Sequence, residues 1–375
     1  MLDRSPDAPH LHIQVAAILK KRILNGTWSS GSSIPSEKEL CAEFDVARGT
    51  IRQALASLEA EGYLSREQGR GTFVQWQKSL ANIRRSQRLA FVVPYVRDSS
   101  VPTILVGFQQ VAEQANYSVI FSHVNNDIQQ QERVIQKLVD EDIAGIALYP
   151  INSEYIPVVE RLQQTHFPLV LIDRYLRTLS TDYVMTDHFG GAIRGTHYLY
   201  SLGHTRVGFV TWLSPAVSME HRLLGYTQAV IERGYVPEES LICRVEGYPV
   251  VDRKPLLKYL SEPNRPTALL AANDQIAIAI YRAATSLGLS IPDDLSILGF
   301  DDLDVSAHLD PPLSTIAQPF QQIGRTAAEL LLRRLSGEHG SPEQLALQPS
   351  LVLRGSCRML TSEHDVAPLV TLRPR

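Results

Sequence analysis

From Leu89 onward, short apolar, β-branched runs alternate with amphipathic helical stretches, and this alternation constrains the fold more than any other feature of the chain. The runs fall at Leu89–Pro94, Ser118–Phe121, Gly145–Leu148, Leu169–Ile172, Arg206–Thr211, Ala268–Ala271 and Ser296–Gly299. Between them, Ile104–Gln114, Gln130–Asp140, Gly191–Leu202, Arg222–Arg233, Gln275–Leu287 and Gln321–Leu335 repeat apolar residues at helical spacing. Strand and helix in strict alternation build parallel sheets with helical crossovers on both faces. The strands are too many for one compact sheet of about six, so the spacing predicts an α/β body of two doubly wound lobes.

Residues 8–76 have a different grammar. His10–Leu24 predicts a helix with Ile13, Ala17, Ile18 and Leu24 on one stripe, stopped at Asn25-Gly26. Ser36 with Glu39 three residues later is a capping box and predicts the start of a second helix. A third helix is expected over Ala47–Ala60, closed by Gly62. Two short strands, Tyr63–Arg66 and Gly71–Val74, then flank a Gln68-Gly69-Arg70-Gly71 tip. The polar segment 77–88 is expected to be a linker, 89–356 the body, and 357–375 a C-terminal tail.

Charge divides along the same boundary. The formal net charge is -4, yet residues 1–88 carry 13 Lys+Arg against 9 Asp+Glu. A basic head on an acidic body suits a small domain that meets phosphate. Cys41, Cys243 and Cys357 are widely spaced, without CxxC or Cys/His clustering, so neither a metal site nor a disulfide framework is expected. The first dozen residues lack an apolar core, and no run is long enough to span a bilayer. A cytoplasmic protein with no cofactor and no membrane contact is the expectation.

The head carries Pro35-Ser36-Glu37, Leu40, Phe44 through Arg52, Ala54-Leu55, Leu58, Gly62-Tyr63-Leu64 and Gly69 through Val74 in one order. That series resembles the GntR-type winged helix-turn-helix. Arg48, Thr50 and Arg52 open the third helix, where side chains enter a major groove, while Leu40, Val46, Ile51, Leu55 and Leu58 are expected to be buried. The resemblance implies DNA contacts from Lys38, Arg48, Thr50, Arg52, Gln68, Gly69 and Arg70, and a phosphate at Ser36 and the second-helix start. Ala47 departs from the pattern, which usually has Ser or Thr there, so a helix cap and a phosphate hydroxyl are missing.

The body resembles the LacI/GalR repressor core and related periplasmic sugar-binding proteins. The resemblance is carried by Leu171 through Arg174, Thr186-Asp187, Leu202 through Val207, Arg222 with Gly225-Tyr226, Ala272 through Asp274, Ile291 through Asp294, Ser296 through Asp302, and Pro312 through Ile316. The whole chain then looks like an arabinose-repressor arrangement: a winged helix-turn-helix plus a two-lobed, periplasmic-binding-protein-like domain. Ligands of open α/β sheets bind beyond the carboxyl ends of strands. Asp173 and Arg174 follow one such end, Asn273 and Asp301 two others, Arg222 is expected to open a helix after a fourth, and Gln318 lies on the return between lobes. Carboxylates, an amide and forked guanidinium groups suit sugar hydroxyls, and Tyr95, Phe189 and Tyr248 are candidate aromatic walls. Arg97 and Arg177 near the mouth would admit a phosphorylated ligand. Asp187, Asp274 and Asp302 read as caps and lobe-closing acceptors, and His204 as structural.

Together these readings predict a repressor that binds double-stranded operator DNA as a homodimer and answers a small-molecule effector, in all expectation a sugar. Closure is expected about crossovers near Met185–Asp187, Asp310–Ile316 and Gly337–Gln344. Two rival readings are a sugar-processing enzyme, with Asp173 and Asp301 as an acid/base pair, and a DNA-binding dimer whose body answers a non-sugar ligand or none. Against catalysis, the sequence has no Gly-x-Gly-x-x-Gly after a strand, no Walker loop, no Gly-x-Ser-x-Gly elbow and no His-Glu-x-x-His.

Overall fold

The structure is a computed structural model that describes residues 9–24, 27–28, 31–60, 62–67, 70–74, 87–154, 156–214, 216–247, 251–338 and 340–360. The chain divides into two units, Met1–Arg85 and Ser86–Arg375.

In the first unit, helices α1 (Leu11–Leu24), α2 (Glu37–Phe44) and α3 (Arg48–Ala60) precede an antiparallel pair, β1 (Leu64–Glu67) and β2 (Gly71–Val74). The capping box starts α2: Ser36 Oγ accepts from the Glu39 N–H at 3.3 Å, and the Glu39 carboxylate accepts from the Ser36 N–H at 2.7 Å. Leu40, Ile51, Leu55 and Leu58 are buried as expected, and Val46 is half-buried. The stripe on α1 is not the expected one. Ile13 is 50% exposed, Ala17 is exposed and Ile18 is half-buried, whereas Val15, Leu19 and Ile23 are buried. Two apolar lines share this helix, and packing against α3 selects the line spaced every four residues. Asn25 and Gly26, the expected stop, lie outside the described residues.

The second unit holds two six-stranded sheets. The first lobe begins with β3 (Arg88–Val93), α4 (Ser100–Gln114), β4 (Ser118–His123), α5 (Ile128–Asp140), β5 (Gly145–Leu148), α6 (Pro157–Gln164), β6 (Leu169–Ile172) and β7 (Asp182–Thr186). The second contains α7 (His188–Ser201), β8 (Val207–Trp212), α8 (Val217–Glu232), β9 (Ile242–Val245), α9 (Lys254–Ser261), β10 (Ala268–Ala271), α10 (Asp274–Ser286), β11 (Ser296–Asp301) and β12 (Ser314–Ala317). The chain then returns to the first lobe for α11 (Phe320–Leu335) and β13 (Gln344–Leu347), and ends in the second with β14 (Ser350–Val352). Strand order is β13-β7-β6-β5-β3-β4 in one sheet and β14-β12-β11-β10-β8-β9 in the other. All pairings are parallel except β12 with β14.

Among the described residues, three crossings therefore join the lobes, at 186–188, 317–320 and 347–350. The first falls where the sequence placed it. The other two do not, because Ser314–Ala317 pairs with β11 in the second lobe and Gln344–Leu347 pairs with β7 in the first. The second crossing is held by an unusually close helix pair. A Cβ on Gly107 would stand 2.1 Å from the Gln321 carbonyl oxygen, and one on Gly324 would stand 1.9 Å from that of Ile104. Only glycine lets α4 and α11 meet backbone to backbone here, which fixes Gln318 and Phe320 beside the first lobe. Residues 357–360, placed in the tail by sequence, stay bonded to the second lobe: the Leu360 N–H donates to the Leu202 carbonyl at 2.7 Å and the Arg358 N–H to Ser296 Oγ at 3.1 Å.

Candidate functional site

The head presents its candidate DNA groups on the first turns of α2 and α3. Arg48 and Arg52 expose 71% and 59% of their side chains, and Lys38 is exposed. All three of Arg48, Arg52 and Arg66 converge on one carboxylate, that of Glu37. Arg48 Nε donates to Glu37 Oε2 at 2.8 Å, Arg52 Nε approaches the same oxygen at 3.3 Å, and Arg66 Nη2 meets Oε1. The hydrogen bond from Arg48 leads the effects that hold the Glu37 carboxyl down at about 2, so it stays ionised throughout the physiological range. Glu37 and Arg66 were not singled out by the sequence. Glu37 read only as part of the capping segment, because nothing in a linear sequence shows that residues 11, 15 and 29 positions away return to it.

Thr50 is half-buried on α3, and Arg70 stacks its guanidinium 5.8 Å from the Phe73 ring centre on β2. The Ser36 hydroxyl donates to Glu39 Oε2 at 2.8 Å, so its proton is engaged in the cap. Gln68 and Gly69 lie outside the described residues. At Ala47 the carbonyl accepts from the Thr50 and Ile51 N–H groups, and a methyl group stands where a capping hydroxyl would. Ala47→Ser should therefore stabilise the head by about 1 kcal/mol, read as a higher urea midpoint with an unchanged slope; an unchanged or lower midpoint would count against this account of the helix start.

In the second unit a cavity of about 460 Å³ opens between the lobes. Tyr95, Asp173, Arg174, Arg222, Asn273, Asp301 and Gln318 all line it. Tyr248 lies outside the described residues. Phe189 is not a wall: Gly225 admits its backbone carbonyl against α8, at 2.3 Å from where a Cβ would stand, and its ring is 40% exposed. The aromatic walls are instead Tyr149, Trp212 and Phe320 with Tyr95, and the first three carry no local signal that marks them as walls. Arg222 does not open its helix, since α8 begins at Val217 and Arg222 sits in its second turn.

Each polar group is held from behind. Asp173 turns out of β6 at φ +63°, which aims its 5%-exposed carboxylate past the strand end. Arg174 Nη1 donates to the Pro150 carbonyl at 3.2 Å, its Nε lies 3.5 Å from Asp173 Oδ2, and its guanidinium faces the Tyr149 ring. Arg222, 3% exposed, reaches Asp301 Oδ1 at 3.3 Å, meets the Ala272 carbonyl and lies 3.9 Å over the Phe300 ring. Gln318 bridges two crossings. Its Nε2 donates to Asp301 Oδ1 at 2.6 Å, and its Oε1 accepts from Thr186 Oγ1 at 2.6 Å. Asn273 caps α10 by accepting from the Ile276 N–H at 2.9 Å, which leaves its amide N–H₂ toward the cavity.

The other acidic groups have structural partners. Asp187 accepts from the Gly190 N–H at 2.8 Å as a cap. Asp274 accepts from Leu303 N–H, Ser306 Oγ and Thr315 Oγ1. Asp302 accepts from Arg354 Nη2 at 2.7 Å. His204 lies between Thr267 and Ser296 hydroxyls at 2.9 and 3.1 Å, as a structural residue should.

Beneath the cavity lies His188, fully buried, with Asp173 on one side and Arg222 on the other. Burial raises an aspartate, but His188 and Arg174 outweigh it and hold the Asp173 carboxyl low. Burial pushes Asp301 up, and Arg222 pulls the other way. Burial, then the Arg222 charge, pushes the His188 imidazole down from 6.5 to about 4. Below pH 6.5 the unfolded chain takes up a proton there that the folded chain refuses, so stability falls with pH until about 4. From pH 7.5 to 5 the expected loss is ~2 kcal/mol, measured by urea unfolding. His188→Asn should remove that part of the slope; an unaltered slope would refute this ionisation account.

Comparison with known proteins places both units. Residues 11–74 match the family described as bacterial regulatory proteins, gntR family, and residues 196–357 match the periplasmic binding protein-like domain. The chain is 30% identical to the arabinose metabolism transcriptional repressor of Geobacillus stearothermophilus, over 92% of this chain and 97% of that protein. It is 29% identical to the HTH-type transcriptional repressor CytR of Escherichia coli K12, over 84% and 89%. Among solved structures, a regulatory protein of the LacI family from Chloroflexus aggregans superposes with a TM-score of 0.67 at 30% identity, covering 72% of this chain and 99% of that one.

Proposed function

Because the chain belongs to the family of transcriptional repressors that join a GntR-type head to a LacI-like, periplasmic-binding-protein-like body, we propose that a small uncharged sugar seated in the cleft releases it from its operator. Its class is that of a ligand-responsive DNA-binding regulator, not an enzyme. The observation that carries the sugar reading is the set of paired polar groups from both lobes around one aromatic-walled cavity. Ring faces cover the C–H side of a sugar, and the charged forks and amides satisfy its hydroxyls.

An uncharged ligand fits better than a phosphorylated one. Among the described residues, Asp98, Asp173, Glu246 and Asp301 line the cavity against only Arg174 and Arg222, and both guanidinium groups already face carboxylates. Arg177 pairs with Glu220 and Arg97 stacks on Tyr95, and neither lines the cavity. The arabinose repressor relative makes a pentose the first ligand to test.

Two heads on a homodimer would read two half-sites about one DNA turn apart. Exposed apolar residues support pairing through the bodies: Val106 on α4 and Phe121 on β4 in one lobe, and Leu224 and Ile231, seven residues apart on α8, in the other. Lobe closure then respaces the heads, and a coupling of about 1–3 kcal/mol changes operator affinity roughly 5–150-fold. The test has three parts: selection of an operator from random duplexes, sedimentation of the protein on that DNA, and calorimetry with L-arabinose, D-ribose, D-glucose and their phosphates. Heat from a free sugar, with loss of DNA binding, is the expected outcome. Silence from every free sugar, or a response only to a phosphate, would overturn the ligand assignment.

A further inference from the structure

His188 is the first residue of α7, directly after the first crossing between lobes, and it does not line the cavity. Its Nδ1 lies 3.3 Å from Arg222 Nε and 3.2 Å from Arg222 Nη2. A guanidinium has only N–H groups to offer, so Nδ1 is an acceptor carrying a lone pair. A neutral ring then has its proton on Nε2. That nitrogen lies 3.5 Å from Asp173 Oδ1, just beyond hydrogen-bonding reach, and no other partner satisfies it among the described residues. The tautomer follows from the neighbours alone.

The placement matters because the two neighbours belong to opposite lobes. Asp173 follows β6 in the first lobe, and Arg222 is on α8 in the second. Both line the cavity, and each lies against the His188 ring. We infer that His188 is a positioning residue that ties the ligand-facing carboxylate of one lobe to the ligand-facing guanidinium of the other, so that contact with effector on either side is felt on both. A shift of about half an ångström at Asp173 turns the 3.5 Å approach into a hydrogen bond. Lobe closure and satisfaction of Nε2–H are then one event. The charged groups around the ring are Asp173 and Arg174 from the β6 end, Arg222 from α8 with Asp301 behind it, and the neighbouring His221. The inference rests on reading this cleft as the effector site.

A purely structural role predicts otherwise. The ring packs 5.9 Å from that of Phe300, and filling that space needs only an aromatic group. His188→Phe keeps the filler and removes both polar ends, while His188→Asn keeps an acceptor and a donor on a smaller frame. The experiment uses full-length protein labelled with ¹⁵N-histidine, the selected operator, and L-arabinose and D-ribose as probes. The His188 signal, identified by its loss in His188→Phe, is expected to report the Nε2–H tautomer and to stay neutral from pH 7.5 to 5. His188→Phe is expected to bind operator normally, bind the responsive sugar at least tenfold more weakly and lose most of the operator response. His188→Asn should recover at least half of that response. An Nδ1–H tautomer, or a His188→Phe protein that responds like the unaltered chain, overturns the inference. If neither pentose binds the unaltered chain, the pentose reading fails while the tautomer still decides the role of His188.

Discussion

In a full-length chain carrying Asp301→Asn, operator should stay bound at sugar concentrations that release the unaltered protein. Asp301 ends β11 at φ +124°, lines the cavity, and receives Gln318 Nε2 at 2.6 Å and Arg222 at 3.3 Å through one oxygen. Asparagine preserves the shape and tolerates the unusual backbone better than alanine would. It removes the carboxylate partner of Arg222 and half of the acceptor capacity. Hydrogen bonds to charged groups contribute about 1.5–3 kcal/mol, so sugar affinity should fall ~10–150-fold. Operator affinity without sugar should change less than twofold, since the head is a separate unit. Anisotropy of labelled operator during a sugar titration measures both quantities. A midpoint within twofold of the unaltered protein would remove Asp301 from the effector site.

The converse substitution is Arg48→Ala. It deletes the most exposed guanidinium of the α3 start and one of the three that share Glu37. A bidentate arginine–guanine contact contributes about 1–3 kcal/mol of discrimination. A dimer loses it twice, so specific affinity should fall by ~30-fold or more, with sugar binding unchanged. Non-specific binding should weaken far less, because one phosphate-range charge is lost per head. Full sequence discrimination in the Arg48→Ala protein would mean that α3 does not read bases.

Legibility in the sequence followed local physics. Capping box, Gly62 turn and strand ends carry their own signals, so the sequence points to Tyr95, Asp173, Arg174, Arg222, Asn273, Asp301 and Gln318, which do line one cavity, and misplaces Phe189, which does not. What failed was long-range. β7 contains Asp182 and β13 reads Gln344-Leu345-Ala346-Leu347, short and only half apolar, so neither stood out as a strand. β7 joins the first sheet beside β6, and β13 joins it through pairing with β7 across more than 150 intervening residues. Tyr149, Trp212 and Phe320 are aromatic residues of ordinary core spacing, and only the third dimension turns them toward one cavity. His188 carries no local signal, because its partner Arg222 lies 34 residues away. Glu37 was hidden in the same way by the capping box.

The interleaving of the lobes also orders events during synthesis. The first lobe waits for α11 and its edge strand β13, which ends at Leu347, whereas the head is complete by Val74. At ribosomal speeds of about 5–20 residues per second, roughly 15–55 s separate a finished DNA-binding head from a finished sensor. During that interval a nascent chain owns a reader of DNA but no means of being told to let go. On the proposed reading, each molecule gains its half-site reader first, and gains last both its effector sensor and the body through which two heads would pair.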